Sequence, residues 1–175
     1  MNFLSIREKF PIKRNRVYFN NASIGPLSNP VIAAVDAFMA DVRDHGRNNY
    51  PQWCEHADHA VKGRIADMIG ADKSEIAFIK NTTEGILIVA NGIDWQPGDN
   101  VIIADIEYPS NVYCWMNLKR RGVRIRWIKC RQGRFTADDV AALIDGRTRL
   151  VSLSAVQFWH SSPTFSRSKR KPFKN

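Results

Sequence analysis

A chain of 175 residues, 44% of them hydrophobic, is long enough for one cored domain or part of a larger one, and too apolar to be a disordered polymer. No apolar run reaches the roughly 18 residues that a membrane span needs, and Arg7, Glu8 and Lys9 interrupt the opening stretch where a signal peptide would carry its apolar core. The net charge of +9 suggests a nucleic-acid partner until it is divided: residues 161–175 hold Arg167, Lys169, Arg170, Lys171 and Lys174 with no acid, leaving 21 basic against 17 acidic residues, or +4, over 1–160.

In chain order, the first clear element is a helix over 29–45, "NPVIAAVDAFMADVRDH", with Asn29 as cap and Pro30 at the first helical position, where a missing N–H costs nothing. Val31, Val35, Phe38, Met39 and Val42 recur at spacings of three and four, so they form one apolar stripe. A second helix is predicted from about Pro51 to Met68, stopped by Gly70 in a left-handed cap. Strands and helices then alternate: a strand over 75–79, a helix through "TTEGILIVANGI", a strand over 100–105, and a helix over 110–121. A strand over 123–128, a helix over 136–144 capped by Thr136 with Asp139 three residues on, and a strand over 149–156 complete the series. Strands at this spacing, separated by helices, imply a mostly parallel sheet with right-handed crossovers.

Three segments carry polar groups where such folds place ligands. "VYFNNASIGPLSNP" (17–30) gathers small and polar residues between an extended stretch and a helix, with Ser23 offering a hydroxyl and Gly25 a close backbone approach. In "FIKNTTEGI" (78–86) a strand ends and a helix begins, with Asn81 and Glu84 at capping-box spacing. The free N–H groups of that first turn, the Thr82 and Thr83 hydroxyls and the positive end of the helix dipole converge as a phosphate would require, although a capping box alone also accounts for these residues. "ADIEYPSNVYCW" (104–115) follows the next strand at its carboxyl end. Tyr108 is held extended by Pro109 and offers a ring face to a planar cofactor, and Asn111 opens a helix with an amide to donate; a plain turn and cap explains the same residues.

Other chemistries find less support. Neither GxxxxGK[ST] nor GxGxxG occurs. Cys54, His56 and His59 form C-x-H-x-x-H, but Cys54 points away from the shared histidine face and no second Cys/His pair supplies further ligands, so no metal site is assigned. No GxSxG marks a hydrolase nucleophile. The three cysteines, Cys54, Cys114 and Cys130, are odd in number and lack CxxC spacing, which points to free thiols and a cytoplasmic location.

Three motifs in order, "YFNNASIGPLSNPV", "IAFIKNTTEGILIVA" and "IADIEYPSNVYCW", together with "FTADDVAALIDGRTRLVSLSAVQFW", resemble the aminotransferase class V family of fold-type-I pyridoxal-phosphate enzymes. That group includes cysteine desulfurases, kynureninases and isopenicillin-N-epimerase-like proteins. The resemblance covers about residues 15–159 and implies an α/β fold: part of a PLP-dependent transferase large domain, a mostly parallel sheet with flanking helices, incomplete at the C-terminus. It implies pyridoxal 5'-phosphate as cofactor, bound by Thr82 and Thr83 at the phosphate, Tyr108 at the ring and Asn111 nearby. Ala22 and Ser23 are the implied substrate contacts. Tyr108-Pro109 stands where cysteine desulfurases typically carry a histidine pair, which leans toward the epimerase and kynureninase side. The implied reaction acts on an amino acid, as an epimerase, a desulfurase or lyase, or a transaminase, in a homodimeric intact enzyme.

In such enzymes the aspartate that pairs with the pyridine nitrogen and the lysine that forms the Schiff base lie on later strands. No lysine here matches that position, so no catalytic residue is assigned, and the expectation is a truncated chain without turnover. The expected organisation is an N-terminal arm over 1–28, a partial large domain over 29–160, and a basic, disordered tail over 161–175. The alternative is a non-catalytic module that binds phosphate, or that uses the tail as an arm for nucleic acid or an anionic surface. Short charge runs are usually solvated faces, which weighs against nucleic acid as a partner.

Overall fold

Residues 100–104, "NVIIA", are buried without exception, as only the central strand of a doubly covered sheet can be. The computed structural model describes residues 2–21 and 23–157. It divides into two compact units, the first ending at Phe78 and the second beginning at Ile79.

In the first unit a short helix α1 (Phe3–Arg7) precedes α2 (Asn29–His45), the helix predicted over the same residues. The cap position belongs to Ser28, and Asn29 is already helical. The apolar stripe of α2 is present but only partly covered, with Val35 54% and Met39 60% exposed. The second predicted helix is one continuous helical run in three parts: α3 (Tyr50–Glu55), a π-helical turn His56–Val61, and α4 (Lys62–Ile69). Gly70 ends it in the left-handed conformation at φ 71°, as the sequence requires. Asp41 organises the turn between α2 and α3, accepting from Asn49 Nδ2 at 2.6 Å and Trp53 Nε1 at 2.7 Å. The Trp53 ring packs edge-to-face on Phe38 at 4.8 Å.

The second unit is a sheet of three parallel strands, β1 (Asn100–Ala104), β2 (Arg124–Ile128) and β3 (Thr148–Ser152), in the order β2-β1-β3. Helix α5 (Thr82–Gly92) leads into β1, and α6 (Ser110–Met116), extended by a 3-10 turn Asn117–Arg121, connects β1 to β2. Helix α7 (Ala137–Ala141) connects β2 to β3, and Thr136 and Asp139 form the capping box their spacing announces. Period-two alternation sorts β1 onto two cores. Val101 and Ile103 face Ala90, Trp95, Trp115, Leu118 and Val123 on one side. Ile102 and Ala104 face Ile128 and Phe135 on the other, with Val140 and Leu143 packed against them.

One element differs from expectation. The stretch "EIAFI" (75–79) is not a strand; Lys73–Glu75 is a 3-10 turn, and Ile76 is extended without joining the ladder. The sequence has β propensity, but a strand exists only as half of a pair, and this segment pairs with none among the described residues. The remaining three predicted strands and all five predicted helices stand within a few residues of their expected bounds. The basic run 161–175 lies outside the described residues. No helix among the described residues is long and apolar enough to cross a membrane.

Candidate functional site at the α5 N-terminus

Helix α5 begins because Asn81 is held extended, at φ −165° and ψ 169°, with its side chain accepting from the Glu84 N–H at 2.9 Å. Glu84 reaches back one residue further than a capping box would, its Oε2 accepting from the Lys80 N–H at 2.6 Å. These two bonds pin the turn and leave the amides of Thr82 and Thr83 without an acceptor inside the helix. At 11 residues, α5 is long enough to carry a dipole whose positive end lies here.

Beside that turn lies a cavity of about 550 Å³, lined by Asn81, Thr82, Gly85 and Ile86 from α5 and its cap, Trp115 from α6, and Leu150 and Ser152 from β3. Its size is that of a small cofactor site. Gly85 lines it beneath Ile79, whose Cδ1 lies 2.6 Å from where a Cβ on this glycine would stand. The cavity therefore joins the start of α5 to a mostly apolar lining, a combination that fits a phosphate joined to a planar organic ring.

The predicted residues take different places around it. Thr82 lines the cavity. Thr83, one residue on, turns to the seam between α5 and α6, where its hydroxyl donates to Ser110 Oγ at 2.9 Å. Asn111 is 7% exposed and stands behind Ser152: its Oδ1 accepts from Ser152 Oγ at 2.5 Å and Trp115 Nε1 at 2.9 Å, and its Nδ2 donates to the Ser152 carbonyl at 3.3 Å. Tyr108 is half exposed at the start of α6. Ser23 belongs to the first unit, where its N–H donates to the Asn20 carbonyl at 3.2 Å, and Ala22 lies outside the described residues.

Gly85, Trp115 and Ser152 were not singled out as site residues by sequence. Gly85 had a signal, an interior helix glycine beside two threonines, which costs helix stability and so asks for a reason. Ser152 had none, because its role depends on β3 lying next to β1. Among the described residues no three His, Cys, Asp or Glu side chains converge as a metal site would require, and His59 Nδ1 lies 3.0 Å from Lys73 Nζ.

The structural likeness extends well beyond this cavity. A cystine C-S lyase, C-DES, solved with its reaction product cysteine persulfide, superposes with a TM-score of 0.80 at 26% identity over 89% of this chain and 42% of its own. The apo cysteine desulfurase of Thermococcus onnurineus NA1 superposes at 0.77, with 25% identity over 90% of this chain and 41% of its own. A probable cysteine desulfurase of Methanothermobacter thermautotrophicus is 32% identical over 86% of this chain and 39% of that protein. The chain thus spans about two-fifths of the length of the curated relatives it matches first. Both the relative and the neighbours bear desulfurase or lyase names, whereas this chain holds Tyr108-Pro109 at the position that leaned toward epimerases and kynureninases. The family model of class-V aminotransferases matches residues 17–159, most of the sequence and every element of the sheet, and the chain belongs to the aminotransferase class-V family.

Proposed function

We propose that these residues form the phosphate-cradling part of a pyridoxal-phosphate-dependent enzyme acting on an amino acid, as a desulfurase or lyase, an epimerase or a transaminase. The observation that carries the reading is the cavity at the start of α5, where Thr82, the orphan first-turn amides and the dipole meet an apolar pocket that Gly85 lines. Pyridoxal phosphate, when bound, supplies an electron sink for carbanion chemistry at the amino acid. The residues of this chain would bind and orient it: Thr82 and the α5 amides would hold the phosphate, and Ile86, Trp115 and Leu150 would offer an apolar wall to the ring. Thr83 fixes α6 against α5 through Ser110, Asn111 sets Ser152 at the cavity wall, and Tyr108 offers its ring as a platform. Ala22 and Ser23 are assigned to the substrate side.

Turnover belongs in this reading to the whole homodimeric enzyme, because the chain corresponds to about two-fifths of its relatives. By itself it is expected to hold the cofactor without a borohydride-reducible adduct and without consuming substrate. A cytoplasmic location is supported by three cysteines that are all unpaired.

The test compares pyridoxal phosphate with pyridoxal, which lacks the phosphate, by equilibrium binding to the full chain. The phosphate form is expected to bind at least about tenfold more tightly, and Thr82→Ala to remove most of that preference, since a hydrogen bond to a charged group is worth about 1.5–3 kcal/mol. Equal binding of the two ligands, or an unchanged preference in Thr82→Ala, would remove the assignment.

A further inference from the structure

Glu107 is a carboxylate 6% exposed, just past the end of β1, and it holds three donors from the segment that follows β3. Its Oε1 accepts from the Ser154 N–H at 2.7 Å and Gln157 Nε2 at 2.8 Å, and its Oε2 accepts from Ser154 Oγ at 2.6 Å. Burying a carboxylate is costly, and an apolar residue of the same size would close such a gap more cheaply. The network also gives something up. Gln157 is 1% exposed, and by turning its amide nitrogen to Glu107 it leaves Oε1 as the single buried side-chain polar atom without a partner among the described residues. The carboxylate dictates this arrangement and the glutamine yields to it.

Four residues on, Asn111 makes a second lacing to the same strand, through the hydroxyl and carbonyl of Ser152. The backbone between these anchors is short and already turned, with the Asn111 N–H donating to the Tyr108 carbonyl at 2.8 Å. Tyr108 is therefore the exposed member of a segment fastened at both ends to the exit of β3.

We infer that Glu107 is a positioning residue: by gripping Ser154 and Gln157 it fixes where the Tyr108 ring stands at the carboxyl end of the sheet. The role of that ring as a cofactor platform rests on the pyridoxal-phosphate reading above; the grip itself does not. A carboxylate that only staples two loops would affect stability and leave the geometry of Tyr108 alone.

The experiment uses the full chain with ring-labelled tyrosine, of which there are four, and reads their resonances in Glu107→Gln, Glu107→Asp and Ser154→Ala. Glu107→Gln is expected to shift the Tyr108 ring signal and leave Tyr18 and Tyr50 in place. Glu107→Asp, which keeps both acceptor oxygens, is expected to recover part of the shift. Ser154→Ala removes one donor, is expected to move the same signal in the same direction, and decides the matter if Glu107→Gln does not fold. With pyridoxal phosphate added, Glu107→Gln is expected to lose most of the induced circular dichroism of the cofactor at saturation, whereas Thr82→Ala regains its band at higher ligand. A Tyr108 signal unmoved in both Glu107→Gln and Ser154→Ala, or a full-size band in Glu107→Gln, would overturn the inference. Absence of any band in the unsubstituted chain would remove the cofactor reading and leave the positioning role to be decided by the Tyr108 signal.

Discussion

Cys130 shows how far one side chain's chemistry departs from its residue type. Burial, and then the hydrogen bond and negative charge of Asp105, push its thiol up to about 12. Cys114 is also pushed up, by burial. Both shifts favour the neutral thiol, so at pH 8 the reactive thiolate is on the order of one part in ten thousand at Cys130, against a substantial fraction at an ordinary exposed cysteine. Iodoacetamide at pH 8 is expected to label exposed Cys54 first and Cys130 last, as followed by peptide mass spectrometry. Early labelling of Cys130 would show that its environment is not the one described. The same scale explains what the sequence hid about the site. Thr82 and Thr83 carry the same hydroxyl, but successive helix residues point about 100° apart, so one reaches the cavity and the other the α5–α6 seam. Capping logic places both at the first turn but does not see which neighbour each hydroxyl meets.

Among the elements, the three strands are gathered by one acid, near the starts of β1 and β3 and midway along β2. Asp145 accepts from Asn100 Nδ2 of β1 at 2.8 Å, pairs with Arg126 of β2, and accepts from Thr148 Oγ1 of β3 at 3.2 Å. The Asn100 amide first, then the Arg147 N–H, Thr148 and Arg126, hold its carboxyl below the usual range. A depressed acid contributes stability that is fully present above its unfolded pKa, about 3.9, and lost as pH falls through the folded value. Asp145→Asn is therefore expected to melt below the unsubstituted chain at pH 7, and the two curves to converge as pH falls through the depressed folded value. A gap that persists at low pH would assign the loss to packing. The elements themselves were legible where the signal was local: the caps at Thr136 and Gly70 formed as read, and β1 stands where a strand was expected. The strand over 75–79 was not, because pairing requires a partner that propensity cannot supply.

For the molecule as a whole, the sheet has an open side. β3 pairs with β1 along one edge and has no strand on the other among the described residues, with Val151 40% exposed along it. Unpaired edges recruit other edges. Light scattering is expected to show self-association rising with concentration, and Val151→Lys to suppress it by placing a charge on that strand. A concentration-independent monomer without the substitution would show that the edge is protected. The apolar stripe of α2 teaches the same lesson from the first unit: its periodicity states which face asks for cover, not what covers it.

By itself the sequence determined the order and type of most elements, the parallel sheet, and the cap that starts α5. Each of these rests on signals within a few residues: capping spacing, hydrophobic period and turn chemistry. Only the tertiary structure decided that Thr83 bonds Ser110 while Thr82 lines the cavity, that Gly85 and Ser152 line it with Thr82, and that Glu107 grips the exit of β3 from 47 residues away in the chain. Those facts arise when strands distant in sequence lie side by side, and no local pattern encodes which side chains then meet.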